Sequence, residues 1–149
     1  MNYKDRINQL DFDNHRNYMK FQLLNQWMRL RNRGVHIHEF FSCMGLRKIS
    51  IYGMGELGRL LLEELGEDKE TEIVFGIDQR SDTDLNIPVY HLEDIPFIPE
   101  AIVISLVNMT DETEDRIFEL YGDLPVFTIE EVLFELSRKH GIQSALWNV

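Results

Sequence analysis

The stretch from Lys48 to Asp78 constrains this chain more than any other. It reads KISIY, then Gly53-Met54-Gly55-Glu56-Leu57-Gly58, then a leucine-rich run, then TEIVFGID. Lys48–Tyr52 has the composition of a strand. Leu57, Leu60, Leu61 and Leu65 recur at helical spacing, with Gly66 as the stop, and Thr71–Asp78 is a second strand. A G-x-G-x-x-G motif alone is weak evidence, but here it follows a strand and opens a helix, the context the motif requires. Gly53 permits the tight turn, Gly55 lets a pyrophosphate approach the backbone, and Gly58 lets the helix pack against the strand. The N–H groups at the helix start then offer a phosphate a partial positive charge. Asp78 ends the second strand, where an acid accepts hydrogen bonds from ribose hydroxyls.

The rest of the chain continues this rhythm. Ile87–Tyr90 reads as a third strand, followed by a brief helix near Leu92–Ile95. Ala101–Leu106 is a fourth strand, almost wholly apolar as for a strand covered on both faces. Thr110–Tyr121 is a helix with Thr110 as its cap, and Pro125–Thr128 is a fifth strand whose Thr128 caps a last helix to about Lys139. Alternating strands and helices predict an α/β, Rossmann-like doubly wound sheet of five parallel strands in order 3-2-1-4-5. Residues 48–139 form that domain, 1–47 an N-terminal helical extension and 140–149 a tail with apolar Ile142, Leu146 and Trp147.

In the extension, residues 1–14 read as a loose polar lead-in. A helix is expected from His15 to Arg33, with Asn14 as N-cap and Gly34 as stop, and a second from His38 to Met44. Leu23, Leu24, Trp27, Met28 and Leu30 give the first helix more apolar surface than one sheet face covers. A homodimer through this helix is therefore expected.

Charge is unevenly spread. Residues 1–48 carry nine Lys/Arg against four Asp/Glu, and residues 49–149 carry six against 22. A net charge of −11 argues against nucleic acid or an anionic membrane as main partner. The basic helix either lies on the acidic body of its own chain or docks on a separate acidic partner. No apolar run reaches membrane-spanning length, no signal-peptide pattern is present, and Cys43 is the one cysteine, which fits a reduced, cytoplasmic protein.

The candidate cofactor-binding residues are Gly53, Met54, Gly55, Glu56, Leu57, Gly58, Asp78, Arg80, Ser105 and Asn108. Glu56 either satisfies the helix dipole itself or competes with a phosphate. Asp78 favours NAD over NADP, a preference that Arg80 weakens slightly, although Arg80 also reads as a solvated loop charge. Ser105, Val107 and Asn108 either line the crevice beyond the fourth strand or begin a loop. His36-Ile37-His38-Glu39 resembles a metal pair but lacks a third ligand at a recognisable spacing, so no metal is expected. Cys43, amid Phe40, Phe41 and Met44, reads as a small core residue. No tyrosine precedes a lysine by four residues, and there is no Walker motif or nucleophile-elbow serine. His91 reads as a solvated loop residue, and Asp111 and Glu112 as first-turn helix charges rather than catalysts.

The run KISIYGMGELGRLLLEEL, with FGID, IPVYHLEDI, AIVIS and PVFTIEEVL after it, resembles small Rossmann domains of bacterial surface-polysaccharide and protein-glycosylation systems. Some of these are appended to glycosyltransferases, and others form the front half of sugar acetyltransferases or resemble the first domain of sugar-nucleotide dehydratases. The resemblance spans Lys48 to Leu136, and the glycine motif and Asp78 carry over by position. It implies binding of NAD or a nucleotide sugar, with a glycosyltransferase as candidate partner. No catalytic domain follows the fifth strand, so a non-catalytic binding module is the first expectation. An NAD-dependent sugar-nucleotide dehydrogenase or epimerase, completed by a second subunit, is the alternative.

Overall fold

A computed structural model describes residues 1–80 and 84–144. In chain order the elements are α1 (Tyr3–Asn32), α2 (His38–Cys43), β1 (Lys48–Tyr52), α3 (Glu56–Gly66), β2 (Glu72–Ile77) and β3 (Val89–Tyr90). They are followed by a 3-10 turn (Leu92–Asp94), β4 (Ala101–Ile104), α4 (Thr110–Tyr121), β5 (Val126–Thr128) and α5 (Ile129–His140). The five strands form one sheet in the order β3-β2-β1-β4-β5, and every neighbouring pair is parallel. The expected α/β architecture and strand order are thus the observed ones, with β1 central. The strands are shorter than expected: Ile87, Leu106 and Pro125 lie outside them.

Alternation along the strands sorts the core into two layers. On one face Ile49, Ile51, Ala101 and Val103 meet Leu61 and Leu65 of α3, Leu133 and Leu136 of α5, and Phe41 of α2. On the other, Phe75, Ile77, Ile102 and Ile104 meet Ile117 of α4 and Leu92. Strands covered on both faces leave no polar alternation in sequence, which is why AIVI reads as a continuous apolar run.

The N-terminal segment differs from expectation. Residues 3–14 are not a loose lead-in, and Asn14 is not a cap. Helix α1 begins at Tyr3, where Asn2 Oδ1 accepts from Asp5 N at 2.8 Å. No glycine or proline interrupts Tyr3–Asn32, so nothing local stops the helix from extending to this earlier cap. Gly34 ends it as expected, with φ +76°, the Val35 N–H closing on Leu30 O at 3.0 Å. Thr110 is likewise not a cap: it is the first residue of α4, and Met109, in the left-handed region at φ 56°, precedes it. Thr128 does cap α5, accepting from Glu131 N at 3.1 Å.

Only the last third of α1 docks on the body. Leu23, Trp27 and Leu30 join the α3/α5 core layer, so no boundary at residue 47 divides one core from another. Two buried polar links accompany them. Trp27 Nε1 donates to Glu64 Oε1 at 2.8 Å, and Gln26 Nε2 donates to Ser137 Oγ at 2.9 Å. Arg31 pairs with Glu64 of α3 and with Glu67 just past its end, so the last turns of the basic helix lie on the acidic body of its own chain. In the tail, Ile142 is buried as expected, whereas Leu146 and Trp147 lie outside the described residues. Among the described residues no helix is long and apolar enough to cross a membrane.

Candidate functional site

The glycine turn links β1 to α3, at the carboxyl ends of the central strands. Gly53 has φ +97°, and its N–H donates to Ile77 O at 2.8 Å, tying the turn to the end of β2. A Cβ on Gly58 would stand 1.9 Å from Gly53 O, so the first turn of α3 lies directly on the turn's backbone. A Cβ on Gly53 would meet Ser105 Oγ at 2.8 Å. Gly55 differs from both: nothing lies within 4 Å of where its Cβ would be, and it is exposed. It is the N-cap of α3 and carries no side chain to satisfy the helix's first N–H groups. Glu56, also exposed, supplies the first-turn negative charge.

The other candidates divide between site and scaffold. Asp78, half-buried, has both carboxylate oxygens engaged: Oδ2 accepts from Met54 N at 2.7 Å and Oδ1 from Arg80 N at 3.0 Å. It therefore braces the glycine turn from β2, with lone pairs left over for one or two further donors. Met54 and Leu57 are core residues by side chain; Met54 lies over Gly76, whose Cβ would meet it at 2.8 Å. Arg80 is exposed and Asn108 half-buried beyond β4.

Ser105 does not line the crevice. It is buried, and its Oγ donates to the carbonyls of Gly53 and Tyr52, while its N–H donates to Tyr52 O at 2.9 Å. The end of β4 lies beside the end of β1, so the first polar side chain after AIVI meets the glycine-turn carbonyl before it can reach solvent. Sequence reasoning also passed over Tyr52, half-buried at the end of β1. Burial, then the charges of Asp78 and Glu93, push its phenol above the usual value and keep it a neutral O–H donor near the crevice. The available signal was its position directly before Gly53.

The remaining candidate side chains make no hydrogen bond to this turn among the described residues. His91 is exposed, and Asp111 and Glu112 are exposed in the first turn of α4. The His36 and His38 rings stack with centroids 5.7 Å apart, His38 faces Asp68 at 3.6 Å, and Glu39 is taken by Lys139 and His140 at 3.0 Å. Among the described residues no group of three or more His, Cys, Asp or Glu is placed to hold a metal ion. Cys43 is not a core residue. Ile37 and Phe41 define the buried side of the short helix, and Cys43 falls on the exposed side, 3.3 Å from Lys139 Nζ. A groove of about 870 Å³ runs beside the C-terminal half of α3 and residues 84–87, and no candidate cofactor-binding residue lines it.

Comparison with family models, curated proteins and solved structures finds no match to this chain.

Proposed function

We propose that the chain is a nucleotide-binding module of the Rossmann type, taking the phosphates of NAD(H) or a nucleotide sugar at Gly53–Gly58 and a ribose at Asp78. One observation carries this reading: Gly55 leaves open space at the uncapped start of α3, beside the carboxylate of Asp78. Exposed helix N–H groups with no side chain over them suit a phosphate. The setting in surface-polysaccharide or glycosylation metabolism, and a glycosyltransferase as partner, rest on the sequence resemblance alone.

Binding without catalysis is the preferred form. Hydride transfer needs a substrate held against the cofactor and a group to move a proton. The nearby candidates are meagre: His91, Asp111 and Glu112 are exposed, and Ser105 is occupied in bracing the turn. Mixing the protein with NAD and UDP- or dTDP-sugars, and following absorbance of reduced cofactor, tests the dehydrogenase alternative. Turnover that disappears in His91→Ala would replace the module with the enzyme.

A second reading has its own observation. Asp78 already holds the Met54 N–H, so a carboxylate stands at the turn where a phosphate would approach. The turn is then a structural corner only. Thermal shift against NAD, NADP, CoA and UDP- and CDP-linked compounds separates the two. A ligand at a hundred times its Kd stabilises by about 2.7 kcal/mol. Flat curves throughout would leave the structural corner; a shift that weakens in Asp78→Ala supports the ribose role.

A further inference from the structure

Among the described residues nothing covers the first two-thirds of α1. None of residues 3–22 is buried, yet the helix runs unbroken through them. A helix in a protein draws most of its stability from packing an apolar face rather than from propensity. This part of α1 therefore calls for a partner, and the pattern on its surface specifies one.

Tyr3, Ile7, Leu10, Asn14, Asn17, Phe21, Leu24 and Met28 follow one another at alternating steps of four and three residues. This is the a/d seam of a coiled coil, sustained over about 39 Å. All eight residues are exposed, with Phe21 at 62% and Met28 at 59%. The seam is a different face from the one that docks, which consists of Leu23, Gln26, Trp27 and Leu30. It is also a palindrome. Laid antiparallel on itself, it pairs Tyr3 with Met28, Ile7 with Leu24, Leu10 with Phe21 and Asn14 with Asn17, so every apolar residue meets an apolar one and both asparagines meet asparagines.

We propose that α1 is the dimerisation element of this protein and that its occupant is the α1 helix of a second copy, antiparallel and in that register. Charge agrees with the pairing. Asp13 of each helix comes opposite Lys20 of the other on one flank. On that flank Arg6 of the second copy reaches Trp27, beside the exposed Glu63 of α3 and Glu67 just past its end. There an apolar groove of about 310 Å³, lined by Leu24, Met28 and Leu60, receives the second copy's Tyr3 and Ile7. A parallel pair would leave that groove empty and set two strongly acidic bodies side by side. The antiparallel pair holds the docked segments about 35 Å apart along the axis. The two Asn layers weaken the seam but fix its register. This dimer does not depend on whether a nucleotide binds.

Sedimentation equilibrium of the full chain tests the assembly. The expected mass is twice 17.7 kDa, returning to the monomer value in Phe21→Asp, a substitution at an exposed site that leaves the sheet intact. A monomer mass at every concentration overturns the proposal. Disulfide trapping in a Cys43→Ser background tests the register. Ile7→Cys mixed with Leu24→Cys should cross-link. Leu10→Cys alone should not, its two copies being about 16 Å apart. Self-linking of Leu10→Cys, or no linking of the mixed pair, overturns the antiparallel register.

Discussion

The indole N–H of Trp27 donates to Oε1 of Glu64 across the junction between α1 and α3, at 2.8 Å and with both residues buried. The same carboxylate accepts from Arg31 at 3.2 Å and, through Oε2, from the Ile37 N–H at 2.7 Å. One side chain of α3 thus holds the helix, its last turn and the loop that follows.

Glu64→Ala should therefore destabilise the protein by about 3 kcal/mol, because two buried N–H donors lose their acceptor at once. Glu64→Gln, which retains an acceptor for Trp27, should cost about 1 kcal/mol. Urea midpoints measure both. Equal and small effects would mean that the apolar contacts of Leu23, Trp27 and Leu30 hold α1 without the polar hub.

Gly58→Ala and Gly55→Ala should separate scaffold from site. A methyl on Gly58 falls 1.9 Å from Gly53 O and must displace backbone, costing about 3 kcal/mol or more. A methyl on Gly55 meets nothing, and φ there is −78°, so stability should change by no more than about 1 kcal/mol. Any nucleotide-induced thermal shift should nonetheless fall in Gly55→Ala, since the methyl occupies the approach to the helix start. An undiminished shift would move the ligand elsewhere.

Ser50 lies in the middle of β1, fully buried, and its hydroxyl has no hydrogen-bond partner among the described residues. Ser50→Ala should raise stability by about 1 kcal/mol by removing an unsatisfied polar group. A fall in melting temperature would mean that the hydroxyl is satisfied in solution.

Acid should loosen the α2–α5 contact. Burial raises the Glu39 carboxyl, but hydrogen bonds from Lys139 and His140, with their charges, outweigh it and hold the pKa below the ordinary 4.5. Asp68 is also lowered: burial opposes, while the Glu70 N–H, the His38 charge and the Thr71 side-chain and backbone bonds prevail. A lowered folded-state pKa gives stability that is present above the ordinary carboxylate value and lost as pH falls through the folded value. Wild type should then exceed Glu39→Gln by less than about 1 kcal/mol near neutrality, the pair being partly exposed. The gap should close under acid conditions. A gap that persists in urea melts at about pH 3 would mean that the carboxylate charge is not its source.

Much of the fold was legible because its signals are local. Apolar runs bounded by glycine and proline mark the strands, Leu57, Leu61 and Leu65 share a helical face, and the glycine motif marks the β1–α3 turn that Gly53 and Gly58 fix. Strand order followed from connection rules rather than from any one residue. The start of α1 was missed because polar composition suggested a loop, whereas the absence of breakers and the Asn2 cap decide for helix. Cys43 was misplaced because it falls on the exposed side of α2, away from the buried side that Ile37 and Phe41 define.

By itself the sequence determined the parallel sheet, the glycine turn and the acid at the end of β2, since each depends on spacing along one or two adjacent elements. Tertiary structure alone decided how those groups are used. Ser105 reaches Gly53 O, and Asp78 reaches the Met54 N–H, because neighbouring strands end side by side. Glu64 becomes the anchor of α1 only because Trp27, Arg31 and Ile37, 27 to 37 residues away in sequence, converge on its carboxylate. Long-range pairing of buried polar groups leaves no periodic trace in a sequence, since each partner alone reads as an ordinary charged or polar residue on a helix.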